Sequence, residues 1–416
     1  MNKTRILQAG LLLMAGLTTA CSQTPSFTTS QPATDAAGVP RQLPPVEARS
    51  PNTNYQSAFP GQTRVPGMRT DFPFQVSILT ERLESPWSVN SLPDGRLIVT
   101  QKAGSIAIVD SSGTVSPPIT GFPPIESSGQ GGLLDLALDS DFSSNRYLFF
   151  TFSEQLEQGS VTAVGRARLA DDERSVEEAV VLYRAMPADG RAAHYGSRLS
   201  FDKSGNLLIT TGERQSASTR VKAQSLDNGY GKVLRITREG QALADNPFVG
   251  QSDAMPEIYS YGHRNVQGMA LHPETGDIWI SEMGPRGGDE LNRILPGKNY
   301  GWPVISYGIE YSGFKIGEGL TQKAGMEQPV YYWDPVLAPS GMTFYTSDSI
   351  PEWRGNLFIA GLAGQHIARI VLKSDRVVGE ERLLDDENQR FRDVAQGADG
   401  AIYAVTDSGR LYRIGP

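Results

Sequence analysis

One short pattern returns six times along the chain, and it constrains the fold more than any other feature. A tight turn bearing Gly or Asn opens each copy, and an apolar run follows it. The copies are Pro93-Asp94-Gly95-Arg96-Leu97-Ile98-Val99, Ser143-Ser144-Asn145-Arg146-Tyr147-Leu148-Phe149, Lys203-Ser204-Gly205-Asn206-Leu207-Leu208-Ile209, Glu274-Thr275-Gly276-Asp277-Ile278-Trp279-Ile280, Trp353-Arg354-Gly355-Asn356-Leu357-Phe358-Ile359 and Ala398-Asp399-Gly400-Ala401-Ile402-Tyr403-Ala404. Glycine suits the positive φ of a tight hairpin, and the run after it suits a half-buried strand. No long amphipathic helical pattern interrupts the series. Copies separated by roughly 40 to 75 residues fit four-stranded blades with inserted loops. The expected fold is therefore all-β, a six-bladed β-propeller of four-stranded antiparallel blades, with five or seven blades as the alternatives. The terminal strand at 410–414 is expected to complete a blade begun by residues 74–79, closing the ring and removing exposed edges.

The first 21 residues read as an export signal. Lys3 and Arg5 precede an apolar run from Ile6 to Leu17, too short to span a bilayer, and small residues lead to Cys21. Cys21 is the only cysteine, so no intramolecular disulfide forms. Its place after Ala20 reads as a lipid-attachment site, with Thr18 departing from the usual pattern; ordinary cleavage nearby is the alternative. A lipid anchor on an exported protein of the bacterial envelope or periplasm is expected. Residues 22–70 hold eight prolines and little apolar periodicity, which predicts a disordered linker. Residues 71–416 are then the propeller. A net charge of −8 without a basic cluster argues against a nucleic-acid partner.

In a propeller the turns and strands are scaffold, so chemistry should gather in the loops around the central channel. Four segments stand out: Gly129-Gln130-Gly131-Gly132, His194-Tyr195-Gly196-Ser197-Arg198, Tyr261-Gly262-His263-Arg264-Asn265-Val266-Gln267-Gly268, and Glu282-Met283-Gly284-Pro285-Arg286-Gly287-Gly288-Asp289-Glu290. Among the four histidines, His272 sits in a structural turn, His366 is ambiguous, and His194 is placed to act as a base near neutral pH. A hydrogen-bonded structural histidine is the alternative. Arg264 and Asn265 suit a carboxylate or a developing oxyanion, or else an ion pair to the next blade. The loop at 284–290 offers carbonyl oxygens and carboxylates of the kind that suit Ca²⁺, with Tyr300 able to add another carbonyl; a surface salt-bridge loop is the alternative. Dinucleotide, Walker, His-Glu-x-x-His and EF-hand motifs are all missing.

In this order the segments resemble the soluble aldose sugar dehydrogenases of the glucose/sorbosone dehydrogenase family, which use pyrroloquinoline quinone (PQQ). The likeness runs from about Trp87 to the end. Its most specific pieces are 261–268, 284–300 with the ending Asn299-Tyr300-Gly301-Trp302-Pro303, Pro339-Ser340-Gly341, and Gln389-Arg390-Phe391-Arg392-Asp393-Val394. The resemblance implies a six-bladed propeller with PQQ and Ca²⁺ at one end of the channel. It places His194 as the base that takes the anomeric proton of an aldose, and Gln130, Arg264, Asn265, Arg390 and Arg392 as PQQ contacts. Gly284 and Pro285 become ligands of the catalytic Ca²⁺, and Glu290 and Tyr300 match a further, structural Ca²⁺ site. The implied product is a lactone, with electrons passing to a quinone or other non-nicotinamide acceptor. Three positions depart from the pattern: Ala193 replaces an Asp before the base, Ala363 replaces a PQQ-contacting Lys, and Met283 replaces a His. The alternative classes are a calcium-dependent propeller lactonase and a non-catalytic propeller that binds a glycan or partner.

Overall fold

The computed structural model describes residues 43–416. The signal segment, Cys21 and residues 22–42 of the expected linker lie outside the described residues. After β1 (Gln75–Thr80), blade one is built from β2 (Pro86–Ser91), β3 (Leu97–Gln101) and β4 (Ser105–Val109). Blade two holds β5 (Leu133–Leu138), β6 (Tyr147–Leu156), β7 (Gly159–Leu169) and β8 (Val176–Arg184). Blade three holds β9 (Leu199–Phe201), β10 (Leu207–Thr210), β11 (Lys232–Ile236) and β12 (Ile258–Tyr261). Blade four is β13 (Val266–Leu271), β14 (Ile278–Glu282), β15 (Asp289–Ile294) and β16 (Tyr331–Trp333). Blade five is β17 (Pro339–Phe344), β18 (Leu357–Gly361), β19 (Ile367–Lys373) and β20 (Arg376–Leu383). The last sheet is β21 (Phe391–Gln396), β22 (Ile402–Thr406) and β23 (Leu411–Gly415), joined antiparallel by β1.

The six repeat copies become β3, β6, β10, β14, β18 and β22, the second strand of each of the six blades. The hairpin glycines ahead of them take the required positive φ, as at Gly95 (87°) and Gly205 (79°). In the copy without glycine, Arg146 takes that conformation at 56°. The first strands of successive blades touch in a closed cycle, β2 to β5, β9, β13, β17, β21 and back to β2. Pairing of Gln75 with Gly415 and Val76 with Ile414 closes the ring as expected. Blade one alone has three strands, and bridges from Ile119 and Val115 to Ile106 and Val109 cover its outer edge.

Two expectations need correction. The repeat strands are not half-buried: β3, β10, β14, β18 and β22 are buried at every position. Each blade is sandwiched between two others, so both faces of its second strand are covered. Leu357 and Ile359 pack in the core shared by blades four and five, while Phe358 and Ala360 pack toward the last blade. Each such large side chain contributes about 1.5–3 kcal/mol through burial.

The second correction concerns residues 43–70, expected to be disordered linker. They form a strap along the edges of blades four and five, so the folded unit begins at Leu43. Gly67 bridges Leu43 and also Glu380 of β20. Val65 joins the core between blades four and five. Thr70 hydroxyl donates to Glu381 and accepts from the Trp353 indole, each at 2.7 Å. A segment without apolar periodicity cannot build a core of its own, but here it uses one that the blades have already made. Among the described residues no helix is long and apolar enough to cross a membrane.

Candidate active site

At one end of the channel, the first strands begin and the second strands end. Residues at those two repeat positions form the wall of a cavity of about 360 Å³. Trp87, Gln267 and Arg392 come from first strands, and Lys102, Met283 and Asp407 directly follow second strands. Gln130 and Arg390 complete the polar lining. Against Trp87 lies an ion-pair plug that lines the neighbouring cavity: Arg198 Nη1 donates to Asp135 at 3.0 Å and lies 3.2 Å from Asp393, while its guanidinium lies 4.4 Å from the Trp87 ring centroid. Gly341 makes room for this plug, since a Cβ there would lie 1.5 Å from Asp393 Oδ1.

Lys102, Arg390 and Arg392 stand against one carboxylate. Asp407 accepts from Arg390 Nε and Arg392 Nε, each at 2.9 Å. Burial pushes the Asp407 carboxyl up, and the two guanidinium groups outweigh it and hold it below its ordinary range. Burial and the nearby Arg392 charge depress the Lys102 ammonium, which donates to Gly129 O at 2.8 Å. This wall is net cationic inside an acidic protein.

His194 sits beside the cavity, tied to it by Gln130, whose Oε1 accepts the His194 backbone N–H at 2.8 Å. The residue has φ 46°, and its carbonyl leaves no room for a side chain at Gly212, where a Cβ would approach to 2.1 Å. Only 3% of His194 is exposed, and Nδ1 lies 2.9 Å from Glu213 Oε1. A carboxylate at Nδ1 places the ring proton there and leaves Nε2, which has no partner among the described residues, free to accept. Burial and the Arg264 charge push the imidazole down to about 4, against the pull of Glu213, so it is neutral at pH 7.

A second cavity of about 10 Å³, room for one ion or water, lies behind Met283, which lines both. Its wall includes Arg264, Glu282, Gly284, Glu290, Tyr300 and Trp302. Arg264 Nη1 donates to Met283 O at 2.9 Å and Gly284 O at 2.7 Å, and its guanidinium faces Trp302. Glu282 and Glu290 are paired across β14 and β15 and share the Asn292 amide. Burial, and then the Glu282 charge, push Glu290 well above the carboxylate range. The Tyr300 hydroxyl is engaged by Arg293 O and Leu295 N, so any ligand role falls to its carbonyl. Asn265 lines neither cavity; its Oδ1 accepts from Gly196 and its amide contacts the Met283 sulfur at 3.7 Å. Pro285 packs by Gly308, outside both walls. Among the described residues no three of His, Cys, Asp and Glu converge as a metal cluster.

Around His194 several buried polar atoms lack partners: Glu213 Oε2, Arg214 Nε and Nη1, Arg264 Nε and Trp302 Nε1. Such atoms are rare in folded proteins and concentrate where a ligand or ordered water completes the set. Glu213, Lys102 and Asp407 lie 15 to 27 residues outside the motifs they contact and carry no motif of their own. The available signal was their shared place just past a repeat strand.

The glucose/sorbosone dehydrogenase family model matches residues 83–413. The chain belongs to this family. Its members are sugar dehydrogenases, oxidoreductases by class. It is similar to the aldose sugar dehydrogenase YliI of Escherichia coli, 42% identical over 346 residues, which are 82% of this chain and 92% of that one. A crystal structure of glucose dehydrogenase superposes with a TM-score of 0.80 at 44% identity, covering 82% of this chain and 99% of its own. The PQQ-bound aldose sugar dehydrogenase of Streptomyces coelicolor matches with a TM-score of 0.68 at 28% identity, covering 82% of this chain and 98% of its own. These chains are spanned almost completely and the family match starts at residue 83, so the strap is an addition that the family member described here carries beyond them.

Proposed function

We propose that this dehydrogenase oxidises aldoses at the anomeric carbon to lactones, using PQQ and Ca²⁺ and passing electrons to a quinone or other non-nicotinamide acceptor. The observation that carries the reading is His194: a buried, neutral imidazole backed by Glu213, on a backbone that Gln130 ties to a cation-lined cavity. The residues fit the cofactor. PQQ is flat and carries three carboxylates, and the wall offers Lys102, Arg390 and Arg392 for these, with Trp87 and Met283 as apolar surface.

When bound, PQQ supplies the hydride acceptor and Ca²⁺ the charge that polarises it. His194 Nε2 would take the proton of the anomeric hydroxyl, and the hydride of the anomeric C–H bond would go to the bound cofactor, so that the C–O single bond becomes a carbonyl. Glu213 stabilises the imidazolium so formed. Gln130 fixes the backbone of the base, and Asn265 holds Gly196 behind it. The carbonyls of Gly284 and Pro285 are the proposed ligands of the catalytic Ca²⁺. The Gly284 oxygen has two lone pairs, so the Arg264 bond leaves one for a metal. Glu290 with Glu282 and the Tyr300 carbonyl is proposed to hold the second Ca²⁺ in the small cavity. Glu213 takes over the orienting role that Ala193 cannot fill, and Lys102 the cationic role that Ala363 cannot fill. Export and lipid attachment at Cys21 belong to the same reading, tested by loss of fatty-acid labelling in Cys21→Ser.

The central test is reconstitution of the purified protein with PQQ and CaCl₂, followed by dye reduction with a panel of aldoses. Expected are PQQ-dependent turnover in the parent and its loss in His194→Ala with PQQ binding retained. Failure to bind PQQ, or full turnover in His194→Ala, overturns the reading.

A further inference from the structure

The strap does more than cover blade edges: it reaches the back of the turn at residues 284–289. Asp334 follows directly on β16 and is only 4% exposed. Its side-chain carboxylate accepts from Asn52 N at 2.8 Å and from Thr53 N and Oγ1 at 3.1 Å each. All three of these donors come from the strap. The same carboxylate lies against Gly287, where a Cβ would stand 2.6 Å from Asp334 Oδ1 and 3.2 Å from the Asn52 amide nitrogen. Asn52 also donates to Pro335 O at 3.0 Å and accepts from Arg286 Nε at 3.2 Å.

From Asp334 the connection runs to the turn by two short routes. Trp333 O accepts the Gly288 N–H at 2.9 Å. Asp289 Oδ2 accepts from Leu337 N and Ala338 N at 2.7 Å each, while its Oδ1 holds Gly284 N at 2.8 Å. Residues 333–338 thus form a bracket with the strap on one side and the turn on the other. Gly287 and Gly288 have φ of 76° and 70°, a conformation open to glycine without steric cost, so the shape of this flexible turn depends on the groups that anchor it.

We infer that Asn52 and Thr53 are positioning residues: by holding the buried Asp334 with two backbone N–H bonds and the Thr53 hydroxyl, they fix the bracket that presents the Gly284 and Pro285 carbonyls in ligand geometry. Released from the strap, Asp334 is a buried carboxylate without a donor, and it moves toward water, taking the bracket with it. The solved relatives reach a folded propeller without this segment, so its role here is local adjustment of the turn. The link to metal binding rests on the calcium role proposed above for that turn.

The test uses the full chain with Asn52→Ala/Thr53→Ala and, as the conservative control, Thr53→Ser. Backbone hydrogen exchange is followed by mass spectrometry, and Ca²⁺ alone is titrated by calorimetry. The double variant keeps both backbone N–H donors but loses the Thr53 hydroxyl bond to Asp334 and the Asn52 side-chain bonds to Pro335 O and Arg286, so exchange across residues 284–289 should accelerate about tenfold and the Ca²⁺ dissociation constant should rise about fivefold or more, the loss expected for one hydrogen bond to a charged group. Exchange in β18 and β19 should not change, and Thr53→Ser should behave as the parent. Unchanged exchange in the turn refutes the inference, as does equal acceleration throughout blades four and five, which would mark general loosening. If the parent itself binds no Ca²⁺, the proposed function falls, while the exchange experiment still decides whether the strap holds the turn.

Discussion

Glu213→Gln removes the negative charge behind the His194 imidazole while keeping side-chain volume. In the resting protein the two groups meet at 2.9 Å with 3% and 2% of their surfaces exposed, so solvent screens the pair little. The charge matters most when the imidazole carries a proton, the state reached as the substrate hydroxyl is deprotonated. A hydrogen bond to a charged partner contributes about 1.5–3 kcal/mol, and losing that amount only in the transition state lowers kcat about 10- to 150-fold. Glu213 Oε2 has no partner, so the substitution strands few other groups and the unfolding midpoint should move little. The assay is dye reduction by the reconstituted enzyme under saturating aldose, beside PQQ titration by tryptophan quenching. A fall in kcat with unchanged PQQ affinity is expected. A variant within threefold of the parent in kcat would refute the role of Glu213; a variant that loses PQQ binding would place the residue with the cofactor instead.

Three further outcomes follow from the geometry. Lys102→Met should weaken PQQ binding about tenfold, the loss of one charge-assisted hydrogen bond, and make it less sensitive to salt, both measured by the same titration. Gly341→Ala drives a Cβ into Asp393 and breaks the Arg198 plug, so chemical denaturation should report a loss of about 3 kcal/mol or more. His194 and His366 are each pushed down to about 4, His366 by burial and then by Arg382. The unfolded chain therefore takes up these protons first, and stability falls as pH drops from about 6.5 to about 4, by up to about 3 kcal/mol per histidine. His366→Gln should flatten that pH dependence of denaturation; an unchanged slope would show that His366 does not titrate in this window.

The propeller and its blade count were legible in the chain because the turn-and-strand pattern is local: Gly95, Gly205, Gly276, Gly355 and Gly400 adopt the φ values their turns demand. The double-sided burial of those strands was not legible, since it depends on the neighbouring blade on each side. The motifs around His194, Arg264 and Gly284 were equally visible as segments. Their partners were not: Glu213 lies 19 residues from His194, and Lys102 lies 290 residues from Arg392, with only the ring closure bringing them to one wall.

Residues 43–70 mark the sharpest division. Their composition shows correctly that they cannot bury a core of their own, and it says nothing about an edge that other residues provide. By itself the sequence determined the repeating blade, the positive-φ turns and the residue types available for chemistry, because each depends on a few adjacent positions. Only the tertiary structure decided that Glu213 backs His194, that Lys102 joins the cation-lined wall and that Asn52 and Thr53 hold Asp334. Each of those contacts joins groups separated in the chain, and its free energy exists only once the blades that carry them have folded and met.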